Sequence, residues 1–158
     1  MKNFKKYPKW IKEEYVERAI EKFANHKVRL VLDNERLFMI DWQWENGEAA
    51  NEMRCILDKE HGVFIMYGDL GEAIAYFNCP IEVEDLLSYM YMCSYDSFAE
   101  KIVAKNPYDI VVRKNPCAID PTLGAQEIKK RISKVYLWVM GFFMACEDAG
   151  LRGRSYDT

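Results

Sequence analysis

The chain has 158 residues, of which half are hydrophobic and 14% aromatic, so it can bury a full core as a single domain. Its formal net charge of −3 argues against the broad basic face that a phosphate backbone requires, so we expect no direct nucleic-acid binding. The longest apolar run falls short of the about 20 residues that a membrane-spanning helix needs, and no apolar signal core follows the basic residues 1–7. These properties predict a cytoplasmic protein.

The cysteines show no metal-binding pattern. They are five in number, widely spaced and without a Cys-x-x-Cys pair, whereas structural zinc sites use such pairs. We therefore expect reduced thiols, as in other cytosolic proteins, and no cofactor. The cysteines are Cys55, Cys79, Cys93, Cys117 and Cys146.

The first part of the chain predicts a helix followed by two strands. Pro8 suits the first turn of a helix, and apolar residues then recur at helical spacing over residues 8–24. Residues 28–32 predict a strand, and residues 37–45 place their largest apolar side chains at every second position, as strands do when one face of an antiparallel sheet lies against the core. We assign the two tryptophans of the second strand to that core-facing side, rather than to a stacking platform for bases or sugars. The residues on this side are Phe38, Ile40, Trp42 and Trp44.

A hairpin is expected next. Residues 53–58 alternate, and residues 63–67 form an apolar run typical of a strand covered on both faces. The predicted sheet therefore has four antiparallel strands within residues 28–67. Asp69 and Glu72 then have the spacing of a capping box, which favours a short helix over residues 73–77, although the alternation of apolar residues there leaves a further strand open.

The remainder, residues 72–150, predicts a helical half. Residues 80–92 carry an apolar stripe with acidic residues at the start, and a further helix is expected to end before Asn106-Pro107. A long helix is expected over residues 120–149, and a polar tail occupies residues 151–158. The sequence thus predicts an α+β fold: a four-stranded antiparallel sheet packed against helices, with a long C-terminal helix.

The long helix is apolar on all sides between Val135 and Cys146. A helix of this kind either lies at the centre of the core or forms part of an oligomer interface. We favour the core, with a homodimer through this face as the alternative.

No catalytic motif is present. His26 and His61 belong to no local motif, and the sequence has no nucleophile elbow, zinc-binding helix or phosphate-binding loop. Three acidic residues offer the one alternative. If Asp58, Glu60 and Asp69 converged on a metal ion, the protein would be a small metal-dependent enzyme acting on nucleic acid or a nucleotide. For Asp69 we prefer the role of a helix cap.

A dense group of tyrosines and methionines lies in the helical half. These residue types are enriched at protein interfaces, and one helix cannot easily bury all of them. With the two tail arginines they form a predicted binding surface. Its members are Tyr89, Met90, Tyr91, Met92, Tyr95, Arg152 and Arg154.

The central segment resembles small accessory proteins encoded by phages and mobile elements of Gram-positive bacteria. The resemblance rests on MRCILD at residues 53–58, GVFIM at 62–66 and GDLGEA at 68–73. It carries no catalytic residue. It implies a protein that binds and inhibits a host bacterial protein or ribonucleoprotein complex, such as a CRISPR nuclease, and this is our leading hypothesis for function.

Overall fold

The computed structural model describes residues 7–45, 52–69, 71–102 and 125–154; for residue 99 and residues 125–134 it describes the backbone only. Within them the fold is α+β, with helices packed on one face of an antiparallel sheet. The strands are β1 (His26–Asp33), β2 (Leu37–Trp44), β3 (Met53–Asp58), β4 (Val63–Gly68) and β5 (Gly71–Tyr76). The helices are α1 (Glu13–Lys22), α2 (Val83–Met92), α3 (Tyr95–Ala99) and α4 (Ala125–Asp148).

The sheet is a meander in which each strand pairs with the next, in the order β1-β2-β3-β4-β5. Because side chains alternate along each strand, every second residue faces the helices. We call this side the core face and the opposite side the outer face. The core face of the inner strands is fully buried, which confirms the assignment of Trp42 to the core. Its residues are Phe38, Ile40, Trp42, Met53, Cys55, Leu57, Phe64 and Met66.

The sheet has five strands, so the prediction of four is wrong, as is the preference for a helix at residues 73–77. Gly68 pairs directly with Gly71 across a two-residue turn, and β5 runs back along β4. Both glycines have positive φ angles, and a Cβ atom at Gly68 would collide with the carbonyl oxygen of Glu52. The glycines therefore permit a tight hairpin turn, and the alternation of residues 71–76 decides for a strand over the capping-box spacing.

The Asp69 carboxylate caps no helix. Its Oδ2 accepts a hydrogen bond from the backbone N–H of Glu52 at 2.9 Å, and its own N–H donates to the Glu52 carbonyl at 2.9 Å. Asp69 therefore ties the β4–β5 turn to the residue that precedes β3.

Helix α4 lies over the sheet and packs against α1, β1 and β2. Its residues Val135 and Cys146 are both buried, and the ring of Phe142 lies 4.7 Å from that of Phe64. A Cβ atom at Gly141 would approach Met53 Sδ to 2.7 Å, which shows how closely helix and sheet meet. This face is occupied by the chain's own core, so it is not available as a dimer interface.

The predicted helix ends differ from the observed ones by a few residues. Helix α1 begins at Glu13 rather than at residue 8, and α2 at Val83 rather than at residue 80. The predicted start of the long helix at residue 120 lies outside the described residues. In the described ranges, no helix combines the length and apolarity needed to cross a membrane.

Candidate functional site

Two rows of side chains cross the outer face. The strand register aligns one polar and one apolar residue from each strand, and the rows run side by side because they lie two residues apart on most strands. The polar row is Arg29, Asp41, Arg54, Tyr67 and Glu72. The apolar row is Leu32, Met39, Ile56, Ile65 and Ile74.

Asp41 is the centre of the polar row. It is only 6% exposed, and it accepts hydrogen bonds from Arg54 Nε at 2.6 Å, from Arg54 Nη2 at 2.8 Å and from Arg29 Nη2 at 3.1 Å. The hydrogen bonds from Arg54 lower the pKa of Asp41 against the opposing effect of burial. In turn, the hydrogen bond that Arg54 donates to Asp41 raises the pKa of Arg54. The carboxylate therefore stays ionised and holds the Arg54 guanidinium in one orientation.

A shallow cavity of about 210 Å³ opens beside this ion pair. Arg54 and the half-exposed Tyr67 both line it. A polar group of a bound molecule in this cavity could contact a guanidinium, a phenol or a carboxylate. It is lined by Asp41, Glu52, Met53, Arg54, Tyr67, Gly68 and Asp69.

The apolar row contributes nothing to the packed core. Met39, Ile56, Ile65 and Ile74 are half-buried between their neighbours, and Leu32 at the β1 edge is 36% exposed. No helix or strand among the described elements packs over them, since α4 and α1 lie on the core face. The expectation that residues 63–67 are covered on both faces is therefore not met by the described elements. The apolar row thus runs without interruption across all five strands, beside the polar row.

The three acidic residues of the enzyme alternative do not converge. Asp58 pairs with Val63 at one end of the β3–β4 hairpin, whereas Asp69 follows Gly68, which lies at the other end, about 17 Å away for five residues of strand. Asp58 instead holds the next turn, because its Oδ2 lies 2.9 Å from His61 Nδ1. Glu60 is exposed in that turn. Among the described residues, no three His, Cys, Asp or Glu side chains are placed to share a metal ion.

The tyrosines and methionines of the predicted binding surface lie at different depths. Met90 is fully buried and faces the core, so it is not part of a surface. Tyr89, Tyr91 and Tyr95 are half-buried against the core. Met92 alone of this group is largely open, at 69% exposure. A binding role for the tyrosines and Met92 stays a prediction.

The tail arginines lie near α2. Arg154 contacts the first turn of that helix, with its Nε 3.2 Å from Asp85 Oδ1 and its Nη2 3.9 Å from Glu84 Oε2. Arg152 is exposed. Arg154 thus pairs with two acidic residues that themselves favour the N-terminal end of the helix dipole. The contacts of Arg154 place this residue beside the first turn of α2, and a binding role for both arginines stays a prediction.

The outer face was not identified as a site from the sequence, although a signal for it exists. Ile56, Ile65 and Ile74 are nine residues apart in turn, a spacing that matches the strand-to-strand repeat of this meander. These residues can be recognised as neighbours only when the pairing of β3, β4 and β5 is known, and the sequence analysis did not predict β5. Comparisons with protein-family models, with curated proteins and with solved structures found no match.

Proposed function

We propose that this protein works by binding another protein through the outer face of its sheet. The observation that carries the proposal is the apolar row across five strands, uncovered by any described element and bordered by the polar row. Protein interfaces combine an apolar centre with polar groups at the rim, and they are enriched in aromatic residues, Met and Arg. The outer face has this composition, with Met39, Arg54, Tyr67 and Tyr76 on it.

The face is also rigid. Its strands are backed by a fully buried core, and the guanidinium of Arg54 is fixed by two hydrogen bonds to Asp41. A preorganised surface loses little side-chain freedom when a partner binds, so more of the contact energy contributes to affinity. Arg54 is therefore suited to anchor a partner at the centre of the face.

The resemblance of the central hairpin to phage and mobile-element accessory proteins supports a partner from the bacterial host. We accordingly propose that the partner is a host defence complex in the bacterial cytoplasm, with a CRISPR effector as the first candidate. A metal-dependent enzyme has no comparable support, because the described residues do not gather its acidic ligands.

The proposal can be tested with one disruptive variant and one matched control. Ile65→Lys places a charge in the middle of the apolar row, whereas Glu21→Lys places the same residue on the exposed side of α1. We expect the wild type and Glu21→Lys to restore plaque formation by a targeted phage in a CRISPR-positive host, and Ile65→Lys to fail while keeping its melting temperature. Equal activity of both variants would exclude the outer face. No protection by the wild type in any defence-positive host would exclude the proposed class of partner.

A further inference from the structure

The cavity beside the ion pair of Arg54 and Asp41 lies within the proposed interface. Arg54 and Tyr67 line the cavity, and each is two residues from a member of the apolar row on its own strand, Ile56 on β3 and Ile65 on β4. Two residues of strand span about 7 Å. A partner that covers the apolar row therefore also reaches the cavity, and the chemistry of the cavity restricts which group this partner can place there.

The charges around the cavity are unequal. The carboxylates of Asp41, Glu52 and Asp69 line it, together with the guanidinium of Arg54. Arg54 and Arg29 both pair with Asp41, so three negative and two positive groups leave one negative charge. Neither Glu52 nor Asp69 forms an ion pair in the described part of the chain. A cationic group of a partner would therefore complement the cavity.

The two acidic residues are held side by side, although they are 17 positions apart in the sequence. Asp69 Oδ2 accepts a hydrogen bond from the backbone N–H of Glu52 at 2.9 Å, and the N–H of Asp69 donates to the Glu52 carbonyl at 2.9 Å. An ionised carboxylate has about four lone-pair sites, so Asp69 can accept further hydrogen bonds. A bound cation would therefore meet acceptors whose backbone is already fixed.

Tyr67 favours arginine over lysine as the cationic group. Its side chain lines the cavity and is 40% exposed, so part of the ring is accessible. A planar guanidinium can stack on an aromatic ring while it donates two hydrogen bonds to a carboxylate, whereas an ammonium group offers no such plane. Arginine is also enriched at protein interfaces, and lysine is depleted there.

We propose that the partner protein inserts an arginine side chain into this cavity. The guanidinium contacts Glu52, Asp69 and Tyr67, while an apolar residue of the partner, about 7 Å away, covers the apolar row. In an extended partner segment, the arginine and the apolar residue are two positions apart. The inference rests on the proposed function, because it names the chemical group by which the outer face recognises the same partner.

A small arginine probe tests the cavity without the partner. N-acetyl-arginine amide is titrated into the protein, and binding is followed by the backbone amide NMR signals of the residues that line the cavity. N-acetyl-citrulline amide is the control probe, since it has nearly the same shape but no charge. We expect the arginine probe to bind in the millimolar range and to shift the signals of Arg54, Tyr67, Gly68 and Asp69. The citrulline probe should bind about fivefold more weakly or less.

Matched variants test the two carboxylates. Glu52→Gln and Asp69→Asn should each weaken binding of the arginine probe about threefold, and asparagine keeps an oxygen that can accept from the Glu52 N–H. Glu60→Gln, the same change in the exposed β3–β4 turn, should leave binding unchanged. Equal binding of the two probes, or binding that both cavity variants leave intact, would overturn the inference. The proposed function would then still be judged by Ile65→Lys, which alters the apolar row and not the cavity.

Discussion

Replacing Asp41 with Asn should destabilise the protein more than any other loss of a single charge on the outer face. Asn keeps the shape of the side chain but loses the charge that holds Arg54 and Arg29. Hydrogen bonds between charged groups contribute about 1.5–3 kcal/mol each, while a pair with an exposed arginine such as Arg29 contributes about 1 kcal/mol or less. Because Asn retains one acceptor, we expect a net loss of about 2 kcal/mol in the free energy of unfolding.

The assay is urea denaturation at pH 7, with Glu17→Gln on the exposed side of α1 as the control. A loss of about 2 kcal/mol corresponds to a decrease of about 4–8 °C in melting temperature for a chain of this size. The variant should show both the lower free energy of unfolding and the lower melting temperature. The dependence of its unfolding free energy on urea concentration should equal that of the wild type.

The same experiment has a pH dependence. The folded pKa of Asp41 lies below its ordinary value near 3.8, so its contribution is complete above that value and is lost as the pH falls through the folded pKa. The difference between the wild type and Asp41→Asn should therefore be constant from pH 7 to pH 5 and disappear in acid. A difference no larger than that of Glu17→Gln at pH 7 would refute a stabilising role for this ion pair.

Three further predictions concern the sheet and the thiols. Phe64→Ala should cost about 3–5 kcal/mol in unfolding free energy because it leaves a cavity in the core, while Ile65→Ala on the outer face should cost about 1 kcal/mol; equal losses would contradict the assigned faces. Gly62→Ala should cost more than Gly150→Ala by denaturation, because both have positive φ angles but only at Gly62 would the new Cβ collide with the Cys79 carbonyl oxygen. In a Cys117→Ser background, native thiol titration should detect exposed Cys79 first, whereas burial shields Cys55 and raises its pKa, so that it reacts only on unfolding; early reaction of Cys55 would contradict its burial.

The elements with strong periodicity were predictable from the sequence. The alternation around Phe38 and Trp42 indicated a core-facing strand, and the apolar run from Val135 indicated a helix in the core. Strand β5 was not predicted because the spacing of Asp69 and Glu72 was taken as a helix signal, whereas the pairing of this segment with β4 determines its structure. Asp69 and Glu72 match a capping box, yet the hydrogen bonds that β5 forms with β4 are worth more than one helix cap, and no local pattern reveals them.

The candidate site was less predictable than the fold. Each member of the apolar row is an ordinary strand residue by itself, and the row exists only because four registers align. The composition of the tyrosine- and methionine-rich helix predicted a binding surface, but Met90 faces the core because α2 buries one of its sides. Composition therefore located apolar residues without showing which side of an element they occupy.

The position of α4 has a consequence for the order of events during synthesis. The backbone N–H of Val28 donates to the Asp148 carboxylate at 2.9 Å, across 120 residues of sequence, whereas the strands of the meander pair with their immediate neighbours. The sheet can therefore form while the chain is still emerging from the ribosome, but its core face stays open until α4 has been made. Ribosome-bound chains that end before Ala125 would expose Trp42 and Phe64, and they are the species that we expect chaperones to bind.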